Sequence, residues 1–544
     1  MLCATTMSTT TMTKPVKVID LFAGPGGLGE GFSSLRTNNK QQFKIAISIE
    51  KEASAHRTLL LRAVFRQFEP ENVPECYYDF LKGKLGKNPE DELYKQPEIQ
   101  EALAEARIEA QQLTLGEDSP QKVYGKIKDA VGDDDCILIG GSPCQAYSLV
   151  GRSRNYGAKD REYSAENDHR NFLYKEYLKV IAKFQPLVFV MENVKGMLSA
   201  KINGELIFPS IREDLQNPCK SVNVKPAIGR KKHKYRLYSF VQKNGEQDLF
   251  NVENLHPKDF IIRAEDYGIP QARHRVILLG VREDSEKIIE QSNLLQKNTT
   301  KTTVKQVISD LPELRSKLSK GEDSVELWRD SIAGIDKKTI NTLKKDEHMS
   351  KDLIDSFKEN IENIHTSPEH TGTDKGQKRA SLNSKLPSEL KEWYQDNRLG
   401  NYVTNHETRG HIVGDLHRYL YYSTFASKNG TSPTARNLPA YFWPAHKNFG
   451  SGKFADRFRV QLANNYGTTV TSHISKDGHY FIHYDTKQCR SLTVREAARI
   501  QTFPDNYHFV GNRTQQYVQV GNAVPPYLAK QLAEIVYSII KRSV

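Results

Sequence analysis

The chain has 544 residues, of which 38% are hydrophobic and 26% are charged, and its formal net charge is +12. This length suggests two or more domains, and the composition is that of a soluble globular protein. No apolar run reaches the ~18 residues that a membrane-spanning helix needs, and the basic balance favours a polyanionic partner, most commonly nucleic acid.

The first residues and the cysteines bear on the cellular compartment. Residues 1–13 are rich in Ser and Thr and lack an apolar core, so we expect a disordered tail and no signal peptide. The six cysteines are scattered and form no C-x-x-C pair, which predicts neither a metal site nor a disulfide framework. We therefore expect a reducing compartment and a cytoplasmic, nucleoid-associated protein.

Short apolar runs alternate with helical patterns through the first half of the chain. Most runs are flanked by Gly, Pro or charged residues, as buried parallel strands are. The alternation predicts a doubly wound, Rossmann-like α/β sheet. The predicted strands are Val16–Phe22, Ile45–Ile49, Cys136–Ile139, Leu187–Met191, Phe260–Ile262 and Arg275–Val281, with a helix over Asn171–Phe184.

Three segments depart from this alternation. Residues 81–128 carry a charged amphipathic helical pattern and are predicted as a surface insertion. Residues 220–236 form a basic run that fits a solvated loop and phosphate contact equally well. Beyond residue 285 the chain is mostly helical in pattern and then, from about Arg418, aromatic and basic, which predicts a second, smaller domain.

The first predicted strand runs into a glycine-rich turn. Gly24, Gly26 and Gly27 would let a ligand approach the backbone, and the helix that follows favours negative charge at its N-terminus. Glu50 ends the next strand, where a carboxylate can hold both hydroxyls of a ribose. A nucleotide-like cofactor site is favoured over a tight turn beside an exposed Glu, although glycine spacing alone fits dinucleotide enzymes as well.

Three further segments carry side chains suited to catalysis. Cys144 follows a strand within Gly-Gly-Ser-Pro-Cys-Gln, where a thiolate can be exposed as a nucleophile, although a lone Pro-Cys more often indicates a buried loop cysteine. Glu192 ends another buried strand, where it can act as an acid or merely cap a helix. Arg273 and Arg275 alternate, so in extended chain both would point to one face and could hold an anion or a carbonyl oxygen, or form surface salt bridges.

The C-terminal part contains two more ordered motifs. In Arg490-Ser-Leu-Thr-Val-Arg-Glu-Ala-Ala-Arg, Thr493 and Glu496 predict a capping box at a helix start. The later Gly521-Asn-Ala-Val-Pro-Pro526 predicts a turn into a final helix. Neither motif indicates a chemistry by itself.

Taken in order, these segments resemble the DNA (cytosine-5) methyltransferase family of prokaryotic type. The matching motifs are Phe-x-Gly-x-Gly-Gly, Pro-Cys-Gln, Glu-Asn-Val, Gln-x-Arg-x-Arg, Arg-Glu-Ala-Ala-Arg-x-Gln-x-Phe-Pro and Gly-Asn-Ala-Val-Pro-Pro. The resemblance implies S-adenosylmethionine as cofactor and a specific double-stranded DNA sequence as substrate. It implies an enzyme that acts as a monomer on DNA, separately from any cognate restriction endonuclease.

The resemblance also implies the role of each site residue. Cys144 would attack C6 of a flipped-out cytosine, Glu192 would hold and protonate its N3, and Arg273 and Arg275 would steady its O2 and the nucleophile loop. Pro143, Gln145 and Asn193 would support the substrate. The residues implied at the cofactor are Phe22, Gly24, Gly26, Gly27, Glu50, Leu173, Asn522 and Ala523.

The same resemblance implies a domain plan and leaves two other functions open. Residues 14–284 would form the catalytic domain, 285–514 the target-recognition domain and linker, with Thr469-Val470 as its Thr-aliphatic pair, and 515–544 would return to complete the catalytic domain. A tRNA cytosine-5 methyltransferase is the alternative enzyme, but the Cys-Phe-Thr signature of that branch is missing, since Cys489 is followed by Arg. A catalytically silent DNA-binding homologue is the alternative from another class.

Overall fold

The computed structural model describes residues 14–142, 169–202, 204–241, 255–285, 294–383, 385–444 and 457–543. A central eight-stranded sheet organises the first half of the chain. Its strands are β1 (Val16–Leu21), β2 (Phe43–Glu50), β3 (Ala110–Gln112), β4 (Cys136–Gly140), β5 (Val188–Val194), β6 (Tyr235–Tyr238), β7 (Ile261–Arg263) and β8 (His274–Arg282). The α/β prediction is confirmed.

The strand order is β6-β8-β5-β4-β1-β2-β3, with β7 also paired to β8. Strands β3, β2, β1, β4 and β5 are parallel to one another, whereas β8 is antiparallel to β5, β6 and β7. From β1 the strand order first runs to one side of the sheet, through β2 and β3. It then runs to the other side, through β4 and β5, so the order switches at β1. Ligands of open α/β sheets bind at the carboxyl ends of the strands near such a point.

Helices cover both faces of the sheet, as a doubly wound fold requires. The helices of the first half are α1 (Gly27–Ser33), α2 (Ala53–Arg66), α3 (Glu75–Leu81), α4 (Pro89–Tyr94), α5 (Gln100–Glu109), α6 (Pro120–Val131), α7 (His169–Phe184), α8 (Phe208–Gln216) and α9 (Pro218–Ser221). Alternate residues of β1 face opposite cores. Val18 packs with α1, whereas Ile19 packs with α6 and α7.

Residues 81–128 contribute one short edge strand to the central sheet. Their Ala110–Gln112 segment forms the edge strand β3 beside β2, and α6 continues from them. Leu103 and Ala106 of α5 are buried in the same apolar cluster as α2. A three-residue polar strand carries no alternating or apolar pattern, so sequence periodicity indicated only the helix that precedes it.

The second half of the chain is mainly helical. Its helices are α10 (Val304–Ile308), α11 (Val325–Ala333), α12 (Lys337–Leu343), α13 (Lys351–Glu362), α14 (Ser388–Tyr394), α15 (Val413–Asn429), α16 (Val494–Ile500), α17 (Arg513–Asn522) and α18 (Pro526–Ser543). Short strand pairs connect them. The predicted capping box of α16 is present, because Thr493 Oγ1 accepts from Glu496 N and Glu496 accepts from Thr493 N.

The C-terminal helices pack against two different parts of the molecule. Helix α18 lies on the central sheet with α1 and contributes Leu528, Leu532 and Val536 to that core. Helix α17 shares a core with α10, α14 and α16. The domain boundaries at residues 284/285 and 514/515 stay a prediction.

Among the described residues, every helix is too short or too polar to span a lipid bilayer.

Candidate active site

The glycine-rich turn follows β1 directly and bends back on β2. Phe22 has a positive φ of 54°, as have Gly24 at 57° and Gly26 at 99°, so the chain turns tightly before α1 begins at Gly27. Within the described part of the chain, a Cβ added at Gly24 would meet no atom within 4 Å. The space beside Gly24 is thus free of described atoms, and the binding of a cofactor there stays a prediction.

Glu50 ends β2 and braces this turn. Its Oε2 accepts from the Gly24 amide at 2.8 Å, and its Oε1 accepts from the Glu52 amide at 2.8 Å. Burial raises the pKa of the Glu50 carboxyl, and the backbone hydrogen bonds partly oppose that shift. A carboxylate oxygen has two acceptor sites, so each oxygen keeps one for a further donor such as a ribose hydroxyl.

The C-terminal segment closes the turn from the other side. A Cβ on Gly27 would lie 2.2 Å from the Val524 carbonyl oxygen and 3.3 Å from Ala523 Cβ. Asn522 is exposed at the end of α17, while Ala523 is buried. Glycine at position 27 therefore permits the close approach of a segment almost 500 residues away in sequence.

Tyr507 is a contact of this turn that sequence reasoning missed. Its hydroxyl donates to the Pro25 carbonyl, and a Cβ on Gly26 would lie 2.9 Å from the same hydroxyl oxygen. The signal was the aromatic run Asn506-Tyr-His-Phe509 after the Phe-Pro motif, which carries no spacing that points to residue 25. Tyr507 fixes the glycine turn from the C-terminal half of the chain.

Leu173 lies in α7 near its start and is half-buried. This helix packs on the face of the sheet opposite to α1. Its predicted contact with an adenine ring stays a prediction.

Asp20, two residues before the turn, is a buried carboxyl. Burial raises its pKa to about 8, although the Arg66 guanidinium lowers it in part. Neither carboxyl oxygen has a well-aligned hydrogen-bond partner in the described part of the chain, and the Gly29 amide lowers the pKa less than burial raises it. A carboxyl in such surroundings is protonated at neutral pH, because an uncharged acid costs far less to bury.

We predict that this group makes stability depend on pH. Unfolded Asp20 releases its proton near pH 4, whereas folded Asp20 retains it to about pH 8. The stability that this proton contributes to the folded state is therefore complete below pH 4 and is lost as the pH rises to 8. Asp20→Asn removes the titrating group. Its free energy of unfolding, relative to that of the parent, should therefore rise by about 1.4 kcal/mol per pH unit between pH 4 and pH 8. Urea unfolding of the parent and the variant at pH 5, 6.5 and 8 measures this difference in free energy. A parent-to-variant difference that is constant with pH would exclude this role.

The carboxyl ends of β4 and β5 form the second part of the site. A Cβ on Gly141 would lie 2.9 Å from Glu192 Oε2, and one on Gly140 would lie 2.3 Å from the Leu21 carbonyl oxygen. The Asn193 amide donates to Ser142 at 3.5 Å. Gly141 thus allows the chain to pass close to Glu192, and Gly140 allows it to pass close to β1. Pro143, Cys144 and Gln145 themselves lie outside the described part of the chain.

Arg275 and Arg273 have different partners. Arg275 Nε forms an ion pair with Glu192 Oε1 at 3.0 Å, which joins β8 to β5 at the site. Arg273 is buried and donates to the Val470 carbonyl at 2.9 Å. Burial lowers the pKa of Arg273, and the charge of Arg275 lowers it further.

The described cysteines are poor candidates for a nucleophile. Cys136 is fully buried in β4, which raises its thiol pKa to about 11, and Cys489 is likewise fully buried. Burial also raises the thiol pKa of Cys76 and Cys219. A thiolate is the reactive form, so these four thiols are disfavoured for attack on an electrophile.

The basic run over residues 220–236 lies away from this site. Arg230 donates to the carbonyls of Gly132 and Asp134, just before β4 begins. Glu192 lies at the carboxyl ends of the parallel strands, whereas Arg230 lies at their amino ends. Lys225, Lys231 and the neighbouring lysines are exposed, which favours the solvated loop over phosphate contact at the site.

Comparison with known proteins gives consistent matches over most of the chain. The family model described as "C-5 cytosine-specific DNA methylase" matches residues 118–217 and 223–538. The chain is 33% identical over 539 residues to type II methyltransferase M.Bpa9945I of Bacillus paralicheniformis, covering 96% of this chain and 99% of that protein. It is 25% identical over 532 residues to type II methyltransferase M.DdeI of Desulfomicrobium norvegicum, covering 95% and 88%.

Among solved structures, the chain is similar to a candidate DNA modification methyltransferase encoded within an E. coli prophage. The two are 18% identical with a TM-score of 0.48, and the match covers 96% of this chain and 99% of that one.

Proposed function

The chain belongs to the C-5 cytosine-specific DNA methylase family, and from that premise we propose that it methylates C5 of a cytosine in a specific double-stranded DNA sequence. The observation that carries the proposal is the meeting of Glu192, Arg275 and the Gly140–Gly141 turn at the carboxyl ends of β4 and β5. These groups can hold a cytosine close to the point where the chain continues toward Cys144.

S-adenosylmethionine is the proposed cofactor, and the residues after β1 fit it. The open space above Gly24 suits a ligand close to the backbone, and the unused acceptor sites of Glu50 suit two ribose hydroxyls. Phe22, Gly26 and Ala523 would line the same pocket. When bound, this cofactor supplies an electrophilic methyl group.

We predict that Gly27→Ala weakens cofactor binding. The added methyl would collide with the Val524 carbonyl at 2.2 Å and displace Ala523 from the pocket. We expect the Kd for S-adenosylmethionine, measured by calorimetry, to rise at least tenfold, a change of about 1.4 kcal/mol.

Gly125→Ala in α6 is the matched control, because a Cβ there meets no atom of the described residues within 4 Å and alanine favours a helix. It should leave the Kd unchanged. An unchanged Kd in Gly27→Ala as well would remove the C-terminal segment from the cofactor pocket.

The proposed chemistry begins at Cys144. Its thiolate adds to C6 of the cytosine, the C5–C6 π pair forms a C4–C5 double bond, and the C4–N3 π pair moves to N3, which takes a proton from Glu192. C5 then has enamine character, which makes it the nucleophile for the methyl group that S-adenosylmethionine would supply, with S-adenosylhomocysteine as the leaving group. A base removes the C5 proton, the thiolate leaves, and the N3 proton returns to Glu192.

The arginines would hold this arrangement rather than react. Arg275, bound to Glu192 through Nε, would fix the carboxyl group and offer its other N–H groups to the cytosine O2. Arg273 would hold the segment that contains Val470. Pro143, Gln145 and Asn193 would support the nucleophile loop.

The target base would leave the duplex to react. The side chain of Glu192 is 14% exposed and that of Arg275 is 19% exposed, so a cytosine stacked in a duplex cannot reach them. We propose that the DNA lies between the central sheet and residues 285–514, and that the net charge of +12 favours its binding.

The relatives named as type II methyltransferases suggest a role in restriction and modification. A restriction endonuclease of the same specificity would be a separate protein. We propose that the methyltransferase acts as a cytoplasmic monomer on DNA.

Plasmid DNA tests the proposed function. We expect bisulfite sequencing of a plasmid that expresses the chain, in a host without cytosine-5 methylation, to show methylcytosine at one recurring sequence. Glu192→Gln, which retains an oxygen for Arg275, should nearly abolish it. Methylation of host tRNA alone would favour the RNA enzyme, and methylation of neither would favour a silent DNA-binding homologue.

A further inference from the structure

Two buried glutamines lie between the proposed DNA-recognition segment and the proposed cofactor pocket. Gln271 precedes Arg273 and is fully buried, and Gln501 follows the last turn of α16 and is also fully buried. We refer to Gln271 and Gln501 as the glutamine bridge. Neither residue has a role in the chemistry described above.

The glutamine bridge connects three segments through side-chain amides. Gln271 Oε1 accepts from the Val470 amide at 2.7 Å, and Gln271 Nε2 donates to Gln501 Oε1. Gln501 Nε2 in turn donates to the Ala523 carbonyl at 2.5 Å and to the Val520 carbonyl at 3.0 Å. An unbroken path of hydrogen bonds therefore runs from Val470 to Ala523.

Each amide of the bridge fits in one orientation only. Rotating Gln271 by 180° would bring its NH₂ group against the Val470 N–H and its oxygen against the Ile500 carbonyl, which now accepts at 3.3 Å. Rotating Gln501 would bring its oxygen against two carbonyls. Because both groups are buried, such mismatches would cost the full desolvation of each polar group.

The neighbouring contacts hold the same segments in register. Gln271 and Ala272 pair with Gly467 and Thr468 as a short parallel ladder, and Thr469 Oγ1 donates to the Ala272 carbonyl at 2.5 Å. A shift of Val470 would thus be transmitted through the bridge to the pocket wall at Ala523.

We infer that the glutamine bridge couples DNA binding to cofactor binding. The inference rests on the proposed function, in which residues 285–514, which include Thr469 and Val470, lie against the DNA and Ala523 lines the cofactor pocket. Gln271 and Gln501 are positioning residues: each ligand fixes one end of the bridge and lowers the cost of ordering the other end. Thermodynamic linkage requires the effect to be equal in both directions.

The test compares DNA affinity with and without cofactor. The probe is a duplex oligonucleotide carrying the sequence found methylated in the plasmid, and S-adenosylhomocysteine serves as an inert cofactor. We expect saturating S-adenosylhomocysteine to lower the Kd for the duplex about tenfold in the parent protein. Gln271→Met and Gln501→Met should reduce the effect of S-adenosylhomocysteine on the duplex Kd to less than about twofold. Both variants should raise KM for DNA more than they lower kcat.

Non-additivity tests the pairing itself. The double variant should lose no more coupling than either single variant, because both remove one shared path. Gln516→Met is the matched control. Gln516 is a buried glutamine of α17 that bonds to Asp374 and the Gly511 carbonyl, outside the bridge, so its coupling should stay at about tenfold. If the methionine variants fail to fold, Gln501→Glu keeps the acceptor for Gln271 and weakens the bonds to Val520 and Ala523.

Failure of the inference differs from failure of the proposed function. Coupling of parental size in folded bridge variants, or no coupling in a parent protein that methylates its sequence, would overturn the inference alone. A parent protein that methylates no DNA would overturn both.

Discussion

Cys144→Ser is expected to reduce methyl transfer by roughly 10⁴-fold or more while leaving the Kd for S-adenosylmethionine within about twofold of the parent. A serine hydroxyl is ionised far less than a thiol at neutral pH, so addition to C6 would become limiting. Single-turnover transfer of a labelled methyl group measures the rate, and calorimetry measures cofactor binding.

Cys76→Ser is the matched control for this change. Cys76 is partly exposed in α3, and burial raises its thiol pKa, so it should not serve as a nucleophile. We expect activity near that of the parent. Activity near the parental level in Cys144→Ser would remove Cys144 from the reaction.

The strands of the central sheet were predictable because their signal is local. The runs around Val18, Ile47 and Leu278 are apolar on both faces, as strands covered by helices are, and their ends fall within a few residues of those predicted. Strand β3 was not predictable, because Ala-Gln-Gln becomes a strand only through pairing with Ser48–Glu50. The pairing with its neighbour stabilises this strand, whereas the strand propensity of its own side chains is low.

The candidate site was predictable in its residue types but not in its contacts. Sequence indicated Glu192 and Arg275 separately, and the antiparallel β5–β8 pairing brings them to 3.0 Å. Arg273 was expected to share a face with Arg275, yet it bonds to Val470, nearly 200 residues away. A single sequence does not reveal which of such distant positions will be in contact.

Buried polar residues were the hardest to interpret. Gln271 and Tyr507 look like ordinary surface residue types, and polar side chains are mostly exposed. Their burial is tolerated because each finds a partner from another segment, namely Val470 and Pro25. Positions of this kind become visible only when the fold has brought the segments together.

The second large effect is expected with DNA that carries 5-fluorocytosine at the target position. In the proposed reaction Cys144 adds to C6 and the methyl group is then placed on C5, after which release requires loss of the other C5 substituent as a cation. A proton can leave in this way and fluorine cannot, so the thioether between Cys144 and C6 should persist. A denaturing gel with labelled DNA should show a stable protein–DNA band that requires S-adenosylmethionine.

The variants and the site of attachment make this trap decisive. The band should be missing in Cys144→Ser and should form much more slowly in Glu192→Gln, because a neutral amide cannot deliver a proton to N3. Peptide mass mapping should find the adduct on Cys144. An adduct on Cys76, or on buried Cys136, would refute the assignment of the nucleophile. We expect neither, because the surroundings of both thiols raise their pKa. Efficient trapping by an RNA oligonucleotide, with none by duplex DNA, would instead move the substrate from DNA to RNA while leaving the covalent chemistry intact.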